Sequence, residues 1–438
     1  MADFEERRLP VGIQSFKEIR RNNYAYVDKT EIVWNLVNRG KKYNYLSRPR
    51  RFGKSLLVDT LQTYFEGRSD LFEGLKIMNL EKEWKKSPVI RLDMSRAGAS
   101  EKTIRSYLGM AFSREEAKYG IAMHEGASLA DRFDTIIQTA CQQTGESVAI
   151  LIDEYDSPLQ HSWKTPDHEA CTAVYREVFA ILKADDEYER FVFITGITKF
   201  TQISLFSVLN NLSNISFDEP FAAICGITTR EISDYFGPEV KAMGEANGWT
   251  EEETMVRLKT NYDGYHFCRS NMVDVYNPFS LVNALADKDI KNYWATSGAT
   301  SLLLKFVDDM EIKLTDYDHS AILSTIIETS DVTGGGAELF LYQSGYLTIK
   351  GYMNGLYLLG FPNHEVRQAL YETVLPALAM RKRGDIQSAQ AYLYMHIIDN
   401  RYTEPFKADK RKVIALAVEL DDQGKGLVDW KQVGVTEQ

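Results

Sequence analysis

The stretch from residue 43 to residue 65, YNYLSRPRRFGKSLLVDTLQTYF, constrains the fold of this chain more than any other. It begins with a short aromatic and aliphatic run that is typical of a buried strand, and it continues with apolar residues at helical spacing. Between them stands Gly53-Lys54-Ser55. The glycine lets backbone N–H groups turn inward, the lysine reaches the β and γ phosphates, and the serine hydroxyl ligates Mg²⁺. This order predicts a phosphate-binding loop.

The match to the general loop pattern G-x-x-x-x-G-K-[ST] is incomplete, because Arg48 stands where the pattern begins with glycine. Taken alone, FGKS also fits a surface turn that opens an ordinary helix. In the nucleotide interpretation, the arginines at positions 48, 50 and 51 serve the nucleotide or the developing charge on its γ-phosphate. The residues predicted to bind the cofactor are Arg50, Arg51, Phe52, Gly53, Lys54, Ser55, Leu56 and, from a second motif, Asp153.

The second motif is SVAILIDEYD, residues 147–156. Its five apolar residues followed by two adjacent carboxylates indicate a strand buried on both faces that ends at the carboxyl edge of a parallel sheet. Ligands of such sheets bind at that edge. We predict that Asp153 and Ser55 hold Mg²⁺, and that Glu154 polarises the attacking water as a general base. A core strand ending in a polar loop is the plainer alternative.

A third strand is predicted over residues 190–197, RFVFITGI, followed by Thr198 and Lys199. In ATPases of this class, the strand between the two motif strands carries a polar residue that touches the γ-phosphate or the attacking water. Thr195, Thr198 or Lys199 could do this, and Lys199 joins Lys54 and Glu154 as a candidate catalytic residue. A lysine after a strand is equally compatible with a solvated loop.

Six longer segments carry a resemblance to a known family. They are LPVGIQSFKEIRRNNYAYVDKT, RPRRFGKSLL, LIDEYDSPL, ITGITKFTQISLFSVLNNL, NYDGYHF and VYNPFSLVNAL. Together they resemble the AAA-ATPase-like family found mainly in gut bacteria, in which an ATPase is usually joined to a C-terminal PD-(D/E)XK nuclease-like domain. The resemblance covers roughly residues 9–290. It implies ATP and Mg²⁺ as ligands, a lead-in before the loop that closes over adenine, and an arginine at position 48.

The tail departs from this family. Segments 402–406, 412–418 and 427–430 look like the closing strands of the nuclease domain, but residues 366–438 contain no Glu-x-Lys. Such a nuclease needs an Asp and an E-x-K to hold Mg²⁺ and orient water. We therefore expect an internally deleted remnant without nuclease activity. Its apolar closing strands should dock near Leu347 and Leu358 or pair with a second copy of the chain.

The remaining patterns predict an α/β protein of 438 residues with two or three domains. We expect a P-loop NTPase core of the AAA type with a doubly wound parallel sheet over residues 1–225. A helical lid and linker with a winged or β element should follow over 226–345, and a small α+β remnant over 346–438. Residues 338–350 and 356–361 look like strands joined by a hairpin, and residues 293–331 look helical.

Charge and composition limit the partners. The net charge of −11 does not favour broad nucleic-acid binding, although RKR at 381–383 and KRK at 410–412 could touch a polyanion. MADFEERR is no signal peptide, no apolar run reaches the roughly 18 residues of a membrane helix, and four scattered cysteines fit a reducing cytoplasm. A nucleotide is the predicted ligand, while a protein partner or homo-oligomer stays possible. The alternative to an ATPase is a slowly hydrolysing nucleotide-dependent switch.

Overall fold

Five parallel strands form the sheet that carries the two predicted motifs. They are β1 (Tyr43–Ser47), β2 (Val89–Asp93), β3 (Val148–Asp153), β4 (Glu189–Gly196) and β5 (Ser213–Asn214). A computed structural model describes residues 7–122, 126–198, 212–270, 273–294, 320–329, 336–370, 414–420 and 427–435. The strand order is β2-β3-β4-β1-β5. The strand after the second motif therefore lies between the two motif strands, as predicted.

Helices cover this sheet, as expected for a doubly wound domain. They are α1 (Phe16–Arg21), α2 (Thr30–Asn38), α3 (Lys54–Phe65), α4 (Ile77–Leu80), α5 (Glu101–Tyr119), α6 (Leu129–Thr144), α7 (Ser157–Ser162), α8 (His168–Phe179) and α9 (Ile181–Ala184). Every residue of β3 is buried. A strand covered on both faces needs a continuous apolar run, which explains the VAILI pattern. The α/β core predicted from the sequence is confirmed.

A helical region follows the sheet. It consists of α10 (Thr229–Tyr235), α11 (Gly237–Asn247), α12 (Glu251–Tyr262) and α13 (Pro278–Asp287). The expected capping box opens α10: Thr228 accepts the Glu231 N–H, and the Glu231 carboxylate accepts the Thr228 N–H at 2.8 Å. These helices bury their own apolar cluster, which includes Ile232, Met243 and Leu281. The lead-in segment packs on the same cluster through Ala25.

The third region differs from the expectation. It contains β6 (Ala321–Leu323), α14 (Ser324–Thr329), α15 (Gly336–Ser344), β7 (Thr348–Met353), β8 (Leu356–Gly360) and α16 (His364–Ala369). The strands form an antiparallel sheet in the order β6-β8-β7. The predicted strand over residues 338–350 is wrong in its first half, which is α15, and the helix predicted up to residue 331 is interrupted by β6. The hairpin of β7 and β8 is confirmed.

Two further strands, β9 (Ile414–Leu420) and β10 (Leu427–Val435), pair with each other in antiparallel orientation. They correspond to two of the three closing strands that the sequence predicts; the segment 402–406 and both basic runs lie outside the described residues. Where the tail docks stays a prediction. No helix within the described residues is both long enough and apolar enough to span a bilayer.

Candidate nucleotide site

The phosphate loop, residues 48–53, joins β1 to α3. Arg51 and Gly53 both have a positive φ angle, of +67° and +83°. Gly53 is the N-cap of α3, and no side chain caps the first amides of this helix. Uncapped amides at the positive end of a helix form the kind of site in which proteins bind phosphate. A Cβ at Gly53 would meet nothing within 4 Å, so the left-handed backbone itself is what favours glycine here.

Lys54 lies inside the loop. Its ammonium group donates to the carbonyls of Arg48 and Pro49, both at 3.0 Å, and the residue is 5% exposed. Burial lowers the pKa of Lys54, while the carboxylates of Glu154, Asp153 and Asp156 act in the opposite direction. The lysine is therefore surrounded by carbonyl and carboxylate oxygens at the point where the sequence predicts a phosphate.

The predicted pair of magnesium ligands comes together. Burial raises the pKa of Asp153, and the nearby Ser55 hydroxyl acts in the opposite direction. Asp153 ends β3, is 2% exposed, and also accepts the N–H of Glu154 at 3.0 Å. A hydroxyl beside a carboxylate supplies the hard oxygen ligands that Mg²⁺ prefers. The donor set present thus fits the ion.

Glu154 follows Asp153 with a φ angle of +46°. Burial raises the pKa of its carboxyl, with Lys54 opposing the shift and Asp153 and Asp156 adding to it. A buried carboxylate with a raised pKa is a stronger base than an exposed one, which suits a group that accepts a proton from water. The positive charge of Arg50 also acts to lower the pKa of Glu154.

Beside these residues lies the end of β4. The register aligns Leu46 of β1 with Thr195, and Ile152 of β3 pairs with the neighbouring Ile194. Thr195 is fully buried, and within the described residues its hydroxyl has no hydrogen-bond partner. The Thr198 hydroxyl, by contrast, donates to Asp156 at 2.7 Å. Lys199 lies outside the described residues, so its catalytic role stays a prediction.

An apolar cavity of about 180 Å³ adjoins the loop. Its walls include Val11, Ile13, Val27, Ile227, Phe279 and Val282, together with Arg51, Phe52, Gly53 and Leu56 of the predicted cofactor set. The lead-in and the helical region thus meet the loop around one cavity. A site of this volume holds far more than a single water, and its apolar walls suit a flat ring system.

Comparison with known proteins identifies a family model and a relative that this chain matches. Residues 10–206 match the family model described as a predicted AAA-ATPase, AAA-ATPase-like. An uncharacterized protein in the vnfD 5' region of Azotobacter chroococcum mcd 1 is 31% identical over 396 residues, which covers 87% of this chain and 73% of that protein. The chain belongs to the AAA-ATPase-like family.

Among solved structures, this family member aligns loosely with two Aeropyrum pernix proteins. The ORC2 protein, solved as ADPNP-ADP complexes, has a TM-score of 0.32 and 12% identity, with 80% of this chain and 94% of that chain covered. The ORC1 protein in complex with DNA has a TM-score of 0.28 and 12% identity, with coverage of 83% and 93%.

Arg48 has a different place in this AAA-ATPase-like chain from the one the sequence suggests. It is 2% exposed, and its guanidinium donates to the carbonyls of Ser47 and Ser216 at 2.9 Å and of Phe221 at 3.0 Å. The same group lies 4.0 Å from the ring centroid of Phe267. These contacts use Arg48 to hold the loop against the segments after β5 and α12. The expectation that Arg48 serves the nucleotide directly is corrected accordingly.

Two further side chains of the loop, Phe52 and Arg51, contact residues in or next to the helical region. Phe52 is 1% exposed and packs edge-on against Tyr265 at 4.7 Å between centroids, so its ring is buried against the segment after α12. The Arg51 guanidinium lies 4.5 Å from the ring centroid of Phe279 on α13. Arg50 is half-buried. The NYDGYHF aromatics are typical of packing at a domain seam, but the sequence does not show that the phosphate loop is what they pack against.

Proposed function

We propose that this protein binds ATP with Mg²⁺ in the cavity beside the phosphate loop and hydrolyses it. The observation that carries the proposal is the meeting of four predicted residues at one edge of the sheet: Lys54, Ser55, Asp153 and Glu154. The effect of the Ser55 hydroxyl on the pKa of Asp153 and the charges that Glu154 and Asp153 exert on Lys54 support a single site. Two motifs that did not share a ligand would not be expected to place their polar side chains at the same edge of the sheet.

Each residue has a distinct task in this proposal. Lys54 would exchange its two carbonyl acceptors for oxygens of the β and γ phosphates. Ser55 and Asp153 would hold Mg²⁺, which neutralises charge on the transferring phosphoryl group when it is bound. Glu154 would accept a proton from the attacking water. Thr195, with its buried and unpartnered hydroxyl, is the described residue on β4 best suited to orient that water.

A second candidate, a nucleotide-dependent switch with slow hydrolysis, is favoured by one contact. A Cβ placed on Gly345, just after α15, would lie 2.6 Å from Pro49 Cβ of the phosphate loop. The carbonyl of Pro49 accepts a hydrogen bond from Lys54. A change of the loop on nucleotide binding would therefore reach the third region directly.

Other aspects of the function are proposed on the sequence alone. We propose a cytoplasmic bacterial protein of three units, residues 1–225, 226–345 and 346–438, whose last unit is a nuclease-like remnant without nuclease activity. Nucleic acid, a protein partner and a second copy of the chain are its candidate partners. Nothing in the net charge of −11 favours the first of these.

Binding and turnover with three variants test the proposal. Lys54→Ala should weaken binding of ATP and Mg²⁺ by about 10- to 100-fold, because hydrogen bonds to charged groups contribute roughly 1.5–3 kcal/mol. Lys41→Ala removes an exposed lysine before β1 and should bind ATP like the wild type. Equal and negligible binding by the wild type and Lys54→Ala would sink the ATP hypothesis.

Glu154→Gln separates the two candidates. For an ATPase, this variant should bind ATP normally and lose most turnover, because the amide cannot accept the proton of water. For a switch, turnover of the wild type should already be as low as that of the variant, while nucleotide still protects the chain from unfolding.

A further inference from the structure

Asp156 lies between the carboxyl ends of β3 and β4, and the residue is 1% exposed. Its Oδ2 atom accepts the backbone N–H groups of Ile197 at 3.0 Å and of Thr198 at 2.6 Å. The Thr198 hydroxyl donates to the same oxygen at 2.7 Å, as does the side-chain amide of Gln160 at 2.5 Å. One buried oxygen thus collects four donors, three of them from the segment that follows β4.

The surrounding packing leaves this arrangement little freedom. A Cβ on Gly196 would lie 2.5 Å from Asp156 Oδ1 and 2.8 Å from the Tyr155 ring. The Tyr155 N–H donates to the Thr195 carbonyl at 3.0 Å, and its hydroxyl donates to the Thr198 carbonyl at 2.9 Å. The two residues after Glu154 are therefore bonded to the end of β4 through both backbone and side chains.

The same connection reaches the phosphate loop. The carbonyl of Gly196 accepts the N–H of Arg48 at 3.3 Å, and the Tyr45 hydroxyl of β1 donates to the Thr198 carbonyl at 3.3 Å. Three strand ends, those of β1, β3 and β4, meet around Thr198 and Asp156. Glu154 stands two residues from this junction, with the positive φ angle described above.

We propose that Asp156 is a positioning residue for ATP hydrolysis, which holds Glu154 and the end of β4 in a common geometry beside the phosphate loop. The inference rests on the proposed function and deepens it, because Asp156 is 1% exposed and is held by its own hydrogen bonds, so it acts through Glu154 and the end of β4. Its four donors occupy Oδ2, and the closely packed end of β4 faces Oδ1. Misplacing a catalytic group by about 1 Å can cost about 100-fold in rate.

Steady-state kinetics and affinity for a non-hydrolysable ATP analogue test this role. In Asp156→Asn, the atom that faces the four donors is either an amide N–H₂, which cannot accept their hydrogen bonds, or a neutral carbonyl oxygen, which accepts them more weakly. We therefore expect kcat to fall by at least about tenfold. The affinity for the analogue should stay within about threefold, because Lys54 and the loop amides are not changed. A fall in affinity as large as the fall in kcat, or an unchanged kcat, would overturn the proposal.

If Asp156→Asn does not fold, a less disruptive pair of variants at Thr198 tests the same proposal. Thr198→Val removes one donor without changing the shape of the side chain, and Thr198→Ser keeps the hydroxyl. The proposal expects a lower kcat for the valine variant and restoration by serine, at similar melting temperatures. Equal kcat values for the two variants contradict it.

Amide hydrogen exchange without nucleotide separates this inference from the ATPase proposal. In Asp156→Asn or Thr198→Val, exchange should accelerate at residues 154–155 and 197–198 and stay unchanged in α5 and α6. Unchanged exchange at the strand ends overturns the positioning role whatever the chain does with ATP. Failure of the wild type to bind ATP, measured separately, would count against the ATPase proposal alone.

Discussion

The phosphate loop and the first residue of α3 provide two buried cations that contrast in their partners. Arg48 donates to carbonyls of segments far along the chain, at Ser216 and Phe221, and lies on the ring of Phe267. Within the described residues, Lys54 donates only to carbonyls of the adjoining loop, and it lies among three carboxylates. Arg48 is therefore built into the fold, whereas Lys54 can exchange its partners for a phosphate. In this comparison, a cation serves structure or function according to whether its acceptors can be replaced.

The largest effect on stability is expected from Arg48→Met. The change leaves buried carbonyls without a donor, each at a cost of about 1–3 kcal/mol, and relief of the buried charge offsets part of this. We expect a net loss of about 3 kcal/mol in the free energy of unfolding, measured by chemical denaturation. Arg51→Met, at an exposed position of the same loop, should change stability by about 0.5 kcal/mol or less. Equal losses for the two variants would break the comparison.

Lys54→Met should show the opposite behaviour. Its unfolding free energy without nucleotide should stay within about 1 kcal/mol of the wild type, because only two hydrogen bonds within the loop are lost. The rise in melting temperature caused by ATP and Mg²⁺ should disappear, since saturation at about 100 times Kd contributes roughly 2.7 kcal/mol to the wild type. A thermal shift assay with and without nucleotide measures both. A retained nucleotide shift would show that Lys54 is also structural.

A pair of glycine variants tests how tightly the loop is held from outside. Gly345 and Gly355 have similar φ angles of +88° and +82°, but only a Cβ at Gly345 would strike Pro49. Both Gly→Ala changes carry a backbone cost of about 1–2 kcal/mol, and overpacking adds about 1–3 kcal/mol at Gly345 alone. We expect Gly345→Ala to be the less stable variant and to bind ATP more weakly. If the two variants behave alike, the contact with the third region does not restrain the loop.

The smallest expected effect is a difference in pH dependence. Because burial lowers the pKa of Lys54, the folded chain releases this proton more readily than the unfolded chain does. The unfolding free energy of the wild type should therefore rise relative to Lys54→Met as the pH increases from the lowered pKa toward the pKa of the unfolded chain. Burial also lowers the pKa of Arg48, but an arginine starts from a pKa far above that of lysine and stays charged here, so it contributes no such slope. Parallel stability profiles for wild type and Lys54→Met as the pH approaches about 10.4, the ordinary pKa of lysine, would contradict the assignment.

Local sequence patterns were sufficient to predict those strands and helices whose own residues show a characteristic pattern. The continuous apolar run of β3 and the strand, glycine turn and helix around Gly53 appear where the sequence predicts them. The position of β4 between them followed from the expected class of ATPase. These signals are local, because burial on both faces of a strand leaves no polar position in its sequence.

The failures have physical causes as well. The run ELFLYQS is aromatic and aliphatic enough for a strand, but it forms α15, which begins at Gly336 and ends before Gly345 in the left-handed region. Strand propensity depends strongly on tertiary context, and in this segment it did not determine the structure. Nothing in the spacing of the three loop arginines shows which side chain is buried in the fold, so the sequence predicts a contact with the nucleotide for Arg48 as for the other two. Asp156 lies inside a recognised motif, but three of its four donors come from a strand end more than forty residues away.

The order of the sheet also has a consequence for how the chain is made. Strand β1, which leads into the phosphate loop, pairs with β4 and β5 and with no other strand of the sheet. The partner of Tyr43 is Val192, roughly 150 residues later, which a ribosome translating about 5–20 residues per second reaches only after on the order of 10 seconds or more. Until then, the aromatic strand has no backbone partner from the sheet. The nucleotide site is therefore among the last parts of the core to assemble during synthesis, and its leading strand is a natural place for a chaperone to bind.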